Sequence, residues 1–160
     1  MSIYKRRALR QNYLTPLVNL RSPILESGEP SQLPAHLTHP PARLNICSFR
    51  VEASVYPFEI KLLERHLYSS QMFIPLSKDG IYYVIVSLGK EEPDLSTLKI
   101  FKSDCSRGFN YKPGIWHHPM VVFESQIDFV MQCFERNESQ SSKDEDTKVF
   151  YFSESKWLEG

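Results

Sequence analysis

Short apolar runs separated by turn-forming residues recur along the central part of the chain. The longest, residues 81–88, is almost continuously apolar and rich in β-branched and aromatic types, which is typical of a strand buried on both faces. Similar runs predict strands at residues 45–50, 58–64, 71–76, 95–101, 115–123, 127–134 and 149–152, the last at a sheet edge. Residues 58–64 also fit a short helix. Because helical periodicity is otherwise nearly absent, we predict an all-β barrel or sandwich.

Turn signals connect two of these strands. Pro113 and Gly114 suit the second and third positions of a type II turn that leads into the strand at 115–123. Residues 124–126 then form a loop of hairpin length before the strand at 127–134. We therefore expect these two strands to pair with each other.

The beginning of the chain and a late segment differ from this pattern. A strand is possible at residues 13–20, but residues 21–43 contain five prolines, which oppose both helix and central strand. Residues 137–148 are all polar or charged, which favours a mobile loop. We predict one domain over residues 1–160, with an irregular Pro-rich segment at 1–43 and a mobile polar loop at 137–148.

Composition limits the cellular compartment and the kinds of binding partner to expect. The chain has 19 basic and 19 acidic residues, so its net charge gives no reason to expect nucleic acid or an anionic membrane as a partner. Its three cysteines lack metal-ligand spacing and no signal peptide pattern is present, which favours a reducing, cytoplasmic setting. The longest apolar run is far shorter than the ~20 residues of a membrane helix, so we expect a soluble protein.

The first concentration of reactive groups lies at residues 110–119, which contain Tyr111, Lys112, Trp116, His117 and His118. Side chains alternate along a strand, so Trp116 and His117 should point to opposite faces, and the two histidines cannot both point inward. One histidine should serve a site while the other packs or meets solvent. Alternation favours His117 for the site.

The second concentration lies at residues 64–71. Glu64 and His66 are two positions apart and should share one strand face, while Arg65 should point the opposite way unless the strand is bulged. The Arg65 guanidinium would suit a carboxylate. Alternatively, Glu64 and Arg65 are surface charges and His66 is a hydrogen-bonded core residue.

The two concentrations together resemble the metal motifs of small cupin barrels. In that family the first motif supplies two histidines and a carboxylate, and the second reads P-x-G-x2-H. Here residues 114–117 match G-x2-H, and the resemblance implies a metal site made of Glu64, His66, Gln71 and His117. Such a set could hold a divalent ion with help from the oxygens of a substrate.

Five motifs follow one another in order between about residues 62 and 135. They are Leu63-Glu64-Arg65-His66 with residues 71–75, Pro93-Asp94-Leu95-Ser96, Asn110-Tyr111, Trp116-His117-His118-Pro119 and Ile127-Asp128-Phe129. Together they resemble the ureidoglycolate lyase family.

The resemblance implies a cupin-like double-stranded β-helix barrel with few short helices. It also implies a homodimer that converts (S)-ureidoglycolate to glyoxylate and urea during allantoin breakdown. Leu67 stands where the family commonly has proline, and the family's N-terminal block has no counterpart.

The chemistry of that substrate suggests a role for each candidate. His66 or His117 could take the hydroxyl proton, since an imidazole has a pKa of about 6.5. Tyr111 or the second histidine could protonate the leaving nitrogen, and Arg65 or Lys112 could hold the carboxylate. A divalent ion, nickel, manganese or zinc, could chelate the carboxylate and hydroxyl. Gln71, Trp116 and His118 complete the predicted substrate-binding set, although Trp116 also suits a barrel wall and Gln71 a strand end.

Two other functions fit the same barrel. One is a non-catalytic cupin-type protein that binds a small carboxylate but has lost turnover. The other is a different cupin enzyme, such as a sugar isomerase, which the five ordered motifs disfavour.

Overall fold

The computed structural model describes residues 14–16, 43–135 and 146–159, and every regular element in these residues is a β-strand. The all-β prediction is confirmed, while the few short helices expected from the resemblance do not occur in the described residues. Accordingly, these residues include no helix that could span a membrane. The strands are β1 (Leu14–Pro16), β2 (Arg43–Val51), β3 (Phe58–His66), β4 (Gln71–Pro75), β5 (Ile81–Leu88), β6 (Asp94–Asp104), β7 (Phe109–Tyr111), β8 (Trp116–His117), β9 (Val121–Val122), β10 (Ile127–Glu135) and β11 (Thr147–Leu158).

The strands form two antiparallel sheets. The first has the order β11-β3-β8-β5-β6, with β9 paired to β5, and the second has the order β1-β7-β4-β10-β2. Phe73, Phe109 and Phe129 of the second sheet pack in one buried cluster with Val84 and Phe101 of the first. The main core therefore lies between two facing sheets, as the predicted cupin-like barrel requires.

The central strand β5 is buried on both faces, as its nearly continuous apolar sequence predicts. Tyr82 and Val84 face the core between the sheets. Tyr83 and Ile85 join a second cluster with Leu63, and that cluster draws its residues from the first sheet alone. The two clusters therefore lie on opposite faces of the first sheet. Predicted site residues on one face of this sheet are thus separated from those on the other.

The predicted hairpin between residues 115–123 and 127–134 is wrong. The first segment is broken into β8 and β9, both paired with β5, whereas β10 pairs with β2 and β4 in the other sheet. Pro119 lies between β8 and β9 and has no N–H for a ladder bond, which accounts for the break. The loop at 124–126 therefore connects the two sheets instead of closing a hairpin.

Two segment predictions need correction at their boundaries. Thr147 begins β11, so residues 146–148 belong to ordered structure and the mobile loop predicted at 137–148 does not extend over them. Similarly, Arg43 already belongs to β2 and not to the irregular segment predicted at 1–43. Leu14–Pro16, which pairs with β7, lies within the strand considered possible at residues 13–20. Residues 1–13, 17–42, 136–145 and 160 lie outside the described residues, so the single-domain assignment over 1–160 stays a prediction.

Two glycines with positive φ differ in the space around them. Gly89 has a φ of 136°, and a Cβ there would lie 2.0 Å from the carbonyl oxygen of Glu92. Gly114 has a φ of 79° and a Cβ would meet nothing within 4 Å. Its conformation, with a hydrogen bond from Ile115 N to Lys112 O, agrees with the predicted type II turn.

We expect Gly89→Ala to lower the free energy of unfolding by about 3 kcal/mol or more, because it adds a backbone clash to an unfavourable φ. Gly114→Ala is the control, and should cost only about 1 kcal/mol from its backbone conformation. Urea unfolding of both variants measures the difference. Equal losses would show that the Gly89 turn relaxes without strain.

Candidate functional site

Strand pairing in the first sheet brings the two predicted motifs together. His117 lies opposite Glu64 of β3 and opposite Val86 of β5, because β8 is inserted between those two strands. The His117 side chain is only 2% exposed. It points toward the core between the sheets, whereas Trp116 joins the second cluster on the other face. The predicted alternation of these two residues is therefore observed.

Glu64, His66 and His117 converge on one point. Each offers one potential ligand atom, and the three atoms lie within 4.8 Å of one another. The two imidazole ring centroids are 5.7 Å apart. The structure thus brings together the carboxylate and both imidazoles that the sequence placed in separate motifs.

The facing sheet contributes two further predicted residues. Gln71 lies opposite Tyr111 in the pairing of β4 with β7. The Gln71 Oε1 atom is 3.1 Å from His117 Nε2, and the Tyr111 ring stacks on the His117 imidazole with centroids 4.0 Å apart. The site therefore lies between the two sheets, with His117 in contact with both.

The hydrogen bonds of His117 determine which ring nitrogen faces the cluster. Nδ1 lies 2.9 Å from the carbonyl oxygen of Ile115, which can only accept, so Nδ1 carries a hydrogen and donates it. In the neutral ring Nε2 is then a lone-pair acceptor. It faces two more acceptors, Gln71 Oε1 at 3.1 Å and Glu64 Oε1 at 3.6 Å.

If the Gln71 amide turned over, its nitrogen could donate to His117 Nε2. In the orientation described, three acceptors converge, and a positive charge between them would offset the repulsion of their lone pairs. A proton on His117 Nε2 would supply that charge, and so would a divalent cation. Two imidazoles with a carboxylate and an amide oxygen form a donor set that suits borderline divalent metals. The Nδ1 bond to a backbone carbonyl is also the orientation typical of a metal-binding histidine. The residues therefore fit the metal ion suggested by the sequence.

Electrostatics set the charge state of two members. The contact with His117 lowers the pKa of Glu64 below its ordinary value, against the opposing effect of burial, so the carboxylate is ionised near neutral pH. Burial raises the pKa of Tyr111 well above its ordinary value, and the nearby Glu64 charge acts in the same direction. Tyr111 is therefore a neutral phenol. Its buried hydroxyl has no hydrogen-bond partner in the described part of the chain.

Three predicted site residues lie on the other face of the first sheet. Arg65 Cζ lies 4.7 Å from the centroid of the Trp116 ring, and Arg65 Nη1 donates to Gly89 O at 3.4 Å. His118 packs edge-on against Phe58, a residue next to the second cluster. The structure therefore does not bring Arg65, Trp116 or His118 to the imidazole pair, in keeping with the period-two alternation that separates them from it.

Lys112 occupies a different position. Its side chain is exposed, in the turn that directly follows Tyr111. The same turn is attached to the end of β3 by a hydrogen bond of 2.6 Å from Gly114 N to His66 O. Lys112 is thus carried by a turn beside the cluster, although it is not one of the converging groups.

Asp146 is a residue that the sequence reasoning missed. Its Oδ2 lies 3.7 Å from His66 Nδ1, and its Oδ1 accepts a hydrogen bond from Tyr68 N at 2.6 Å. Residues 137–148 are all polar or charged, so Asp146 could not be distinguished from its neighbours by sequence pattern. Its place just ahead of the predicted strand at 149–152 was the only available signal.

Comparison with known proteins gives the same family that the motifs resemble. The family model described as ureidoglycolate lyase matches residues 26–159. A ureidoglycolate lyase from Salmonella typhimurium is 38% identical over 81 residues, which cover 51% of this chain and 50% of the relative. One from a strain of Escherichia coli is 40% identical over the same length and coverage. The chain thus spans about half the length of the curated relatives it matches.

Solved structures of lower similarity also match. A dTDP-6-deoxy-D-glucose-3,5-epimerase from Legionella pneumophila is 15% identical with a TM-score of 0.44, covering 69% of this chain and 54% of that one. A dTDP sugar isomerase from Desulfovibrio desulfuricans is 14% identical with a TM-score of 0.44, covering 84% of this chain and 78% of that one.

We expect the Glu64 carboxylate to contribute to acid stability. Because its pKa is lowered in the folded state, the contribution is present above the ordinary value of about 4.3 and is lost as pH falls through the folded pKa. Glu64→Gln should therefore flatten the loss of unfolding free energy on acidification. Urea unfolding of the metal-free protein at a series of acidic pH values measures it.

Glu124→Gln is the charge-matched control, since Glu124 is exposed in the loop before β10. An acid profile of Glu64→Gln as steep as those of the control and the wild type would contradict the assigned charge state.

Proposed function

Because the chain belongs to the ureidoglycolate lyase family, we propose that it cleaves (S)-ureidoglycolate to glyoxylate and urea. It would then be a carbon–nitrogen lyase of the amidine-lyase type in allantoin degradation. The observation that supports this most is the convergence of Glu64, His66 and His117 within 4.8 Å. The activity remains a proposal and is not taken over from the curated relatives, because this chain matches them over only half of their length.

The reaction needs one base and one acid. Ureidoglycolate carries a carboxylate, a hydroxyl and a ureido nitrogen on one carbon. When the hydroxyl loses its proton, its oxygen forms a carbonyl and the carbon–nitrogen bond breaks, with the bonding electron pair moving to nitrogen. That nitrogen then takes a proton and leaves as urea. No oxidant or other co-reactant is required.

We assign these steps to the groups between the sheets. An imidazole of the His66 and His117 pair accepts the hydroxyl proton, since a neutral imidazole has a lone pair that can act as a general base. The Tyr111 phenol, kept protonated by burial, supplies the proton to the leaving nitrogen. Its stacking on His117 supports this role, because it places the ring beside the proposed base.

The same cluster is the proposed holder of a divalent metal ion. Glu64, His66, Gln71 and His117 would bind it, and this donor set suits nickel, manganese or zinc. An imidazole whose Nε2 binds the ion has no lone pair left to accept a proton, so the metal role is an alternative to the base role of the pair. In the metal-bound protein the hydroxyl proton would pass to water. When bound, such an ion supplies Lewis acidity that lowers the pKa of the substrate hydroxyl. The protein residues hold the donor atoms in place through Ile115 O and the surrounding strands.

Lys112 is the proposed partner of the substrate carboxylate. Arg65, the other candidate, stacks on Trp116 on the far face of the sheet. Lys112 is exposed on the turn that is hydrogen-bonded to the end of β3 through His66 O. An ammonium group on that turn could approach a carboxylate as it enters between the sheets.

The proposal includes a homodimer and a cytoplasmic setting. Leu44 and Ile46 of β2 and Phe134 of β10 are exposed side by side on the second sheet, which supports an association surface. The three cysteines form no disulfide, which supports a reducing compartment.

The lyase proposal is tested by incubating the purified protein with (S)-ureidoglycolate and measuring glyoxylate. We expect turnover, and we expect His66→Ala and His117→Ala each to lower kcat by about 10² to 10⁴. His118→Ala removes the adjacent imidazole from the opposite face and should lower kcat less than about tenfold. Binding of ureidoglycolate without release of glyoxylate would favour a non-catalytic carboxylate-binding protein.

Metal dependence has its own measurement. After dialysis against a chelator, the protein should lose its glyoxylate-forming activity and regain it with Ni²⁺, Mn²⁺ or Zn²⁺. Glu64→Gln should weaken the binding of the added metal in calorimetry, because it removes the charged ligand. Full activity in the rigorously metal-free protein would reject the metal part of the proposal while leaving the acid–base part intact.

A further inference from the structure

Asp146 is held by several contacts at the end of β3. Its Oδ1 accepts hydrogen bonds from Tyr68 N at 2.6 Å and from Ser69 N at 3.3 Å, and its Oδ2 accepts one from the Ser69 hydroxyl. Its own carbonyl oxygen accepts from Leu67 N at 2.7 Å. The side chain is 13% exposed. The carboxylate is therefore fixed in one orientation.

The fixed carboxylate faces an imidazole of the cluster. Asp146 Oδ2 lies 3.7 Å from His66 Nδ1, and the hydroxyl oxygen of Thr147 lies 3.3 Å from the same nitrogen. A carboxylate can only accept hydrogen bonds, and a hydroxyl can accept them. The carboxylate therefore favours a hydrogen on Nδ1, and the hydroxyl, which can donate or accept, is compatible with it. That tautomer leaves Nε2 as the lone-pair nitrogen of His66.

We propose that Asp146 is a positioning residue that holds His66 with its hydrogen on Nδ1, so that Nε2 is the nitrogen that offers a lone pair to the cluster with Glu64 and His117. This inference rests on the proposed site, because it gives His66 the orientation needed for metal or proton binding. It does not depend on turnover. Asp146 acts through His66 and is not itself assigned a contact with substrate.

The two imidazoles are oriented by different kinds of partner. His117 Nδ1 donates to a backbone carbonyl, that of Ile115, which no substitution removes. His66 Nδ1 faces two side chains, Thr147 and Asp146, which can be changed one at a time. Substitutions at these positions should therefore affect His66 and leave the orientation of His117 unchanged.

Other aspartates show what an ordinary turn role looks like. Asp104 accepts from Ser106 N at 3.0 Å and from the Ser106 hydroxyl, two positions along the chain, and is exposed. Asp146 binds a similar N–H and hydroxyl pair on Ser69, but across 77 positions and beside His66. Asp104 thus offers a control with the same local chemistry and no imidazole.

The direct test is NMR of protein labelled at the histidine ring nitrogens, in the metal-free state at about pH 8.5, where ordinary imidazoles are neutral. The wild type and Asp104→Asn should show His66 with hydrogen on Nδ1. Asp146→Asn puts an amide nitrogen or a neutral oxygen near His66 and should shift it toward the tautomer with hydrogen on Nε2. A wild-type His66 in the Nε2 tautomer would overturn the proposal, even if the variant fails to fold.

Metal affinity gives a second readout, measured by calorimetry with Ni²⁺. Asp146→Asn should weaken binding about 10- to 100-fold, the usual effect of removing a partner that orients a ligand, while Asp104→Asn should match the wild type. Thr147→Val removes only the hydroxyl and so distinguishes its contribution from that of the Asp146 carboxylate. It should weaken metal binding less than Asp146→Asn does. An Asp146→Asn protein with wild-type tautomer and wild-type affinity would refute the positioning role.

The two proposals can fail separately. A protein that shows the expected tautomer and affinity changes but forms no glyoxylate would reject the lyase activity and keep the role of Asp146. If the wild type forms glyoxylate and Asp146→Asn has the same kcat, His66 tautomer and metal affinity, the lyase activity stands. The positioning role of Asp146 is then rejected.

Discussion

The site depends on the insertion of a two-residue strand, β8, between β3 and β5. Glu64 is paired with His117 through this insertion, and Val86 is paired with the same histidine from the other side. Two further backbone hydrogen bonds hold the segment, from Gly114 N to His66 O and from His118 N to Ile85 O. Without this arrangement nothing in the first sheet would hold the segment with His117 next to the segment with Glu64 and His66.

The insertion has an electrostatic consequence. It places His117 Nε2 near the oxygens of Glu64 and Gln71, while Ile115 O takes the hydrogen of Nδ1. Acceptors gathered in a mostly buried place are costly unless a proton or cation joins them. The fold therefore forms a position that suits a positive charge, with His117 at its centre.

The period-two alternation made much of the site predictable from sequence. It placed Glu64 and His66 on one face, sent Arg65 to the other, and separated Trp116 from His117. It did not predict that residues 115–123 and 127–134 would enter different sheets, since strand partners depend on long-range register. It also missed Asp146, because the contacts of that residue with Ser69 span the chain and leave no local pattern.

The most direct test of a common centre is X-ray absorption spectroscopy of the protein loaded with an equimolar amount of Ni²⁺. We expect nitrogen and oxygen ligands together with the outer-shell scattering of two imidazole rings, from His66 and His117. Loss of one ring in His117→Ala would confirm the assignment. A spectrum with only oxygen ligands, or one unchanged by that substitution, would contradict it.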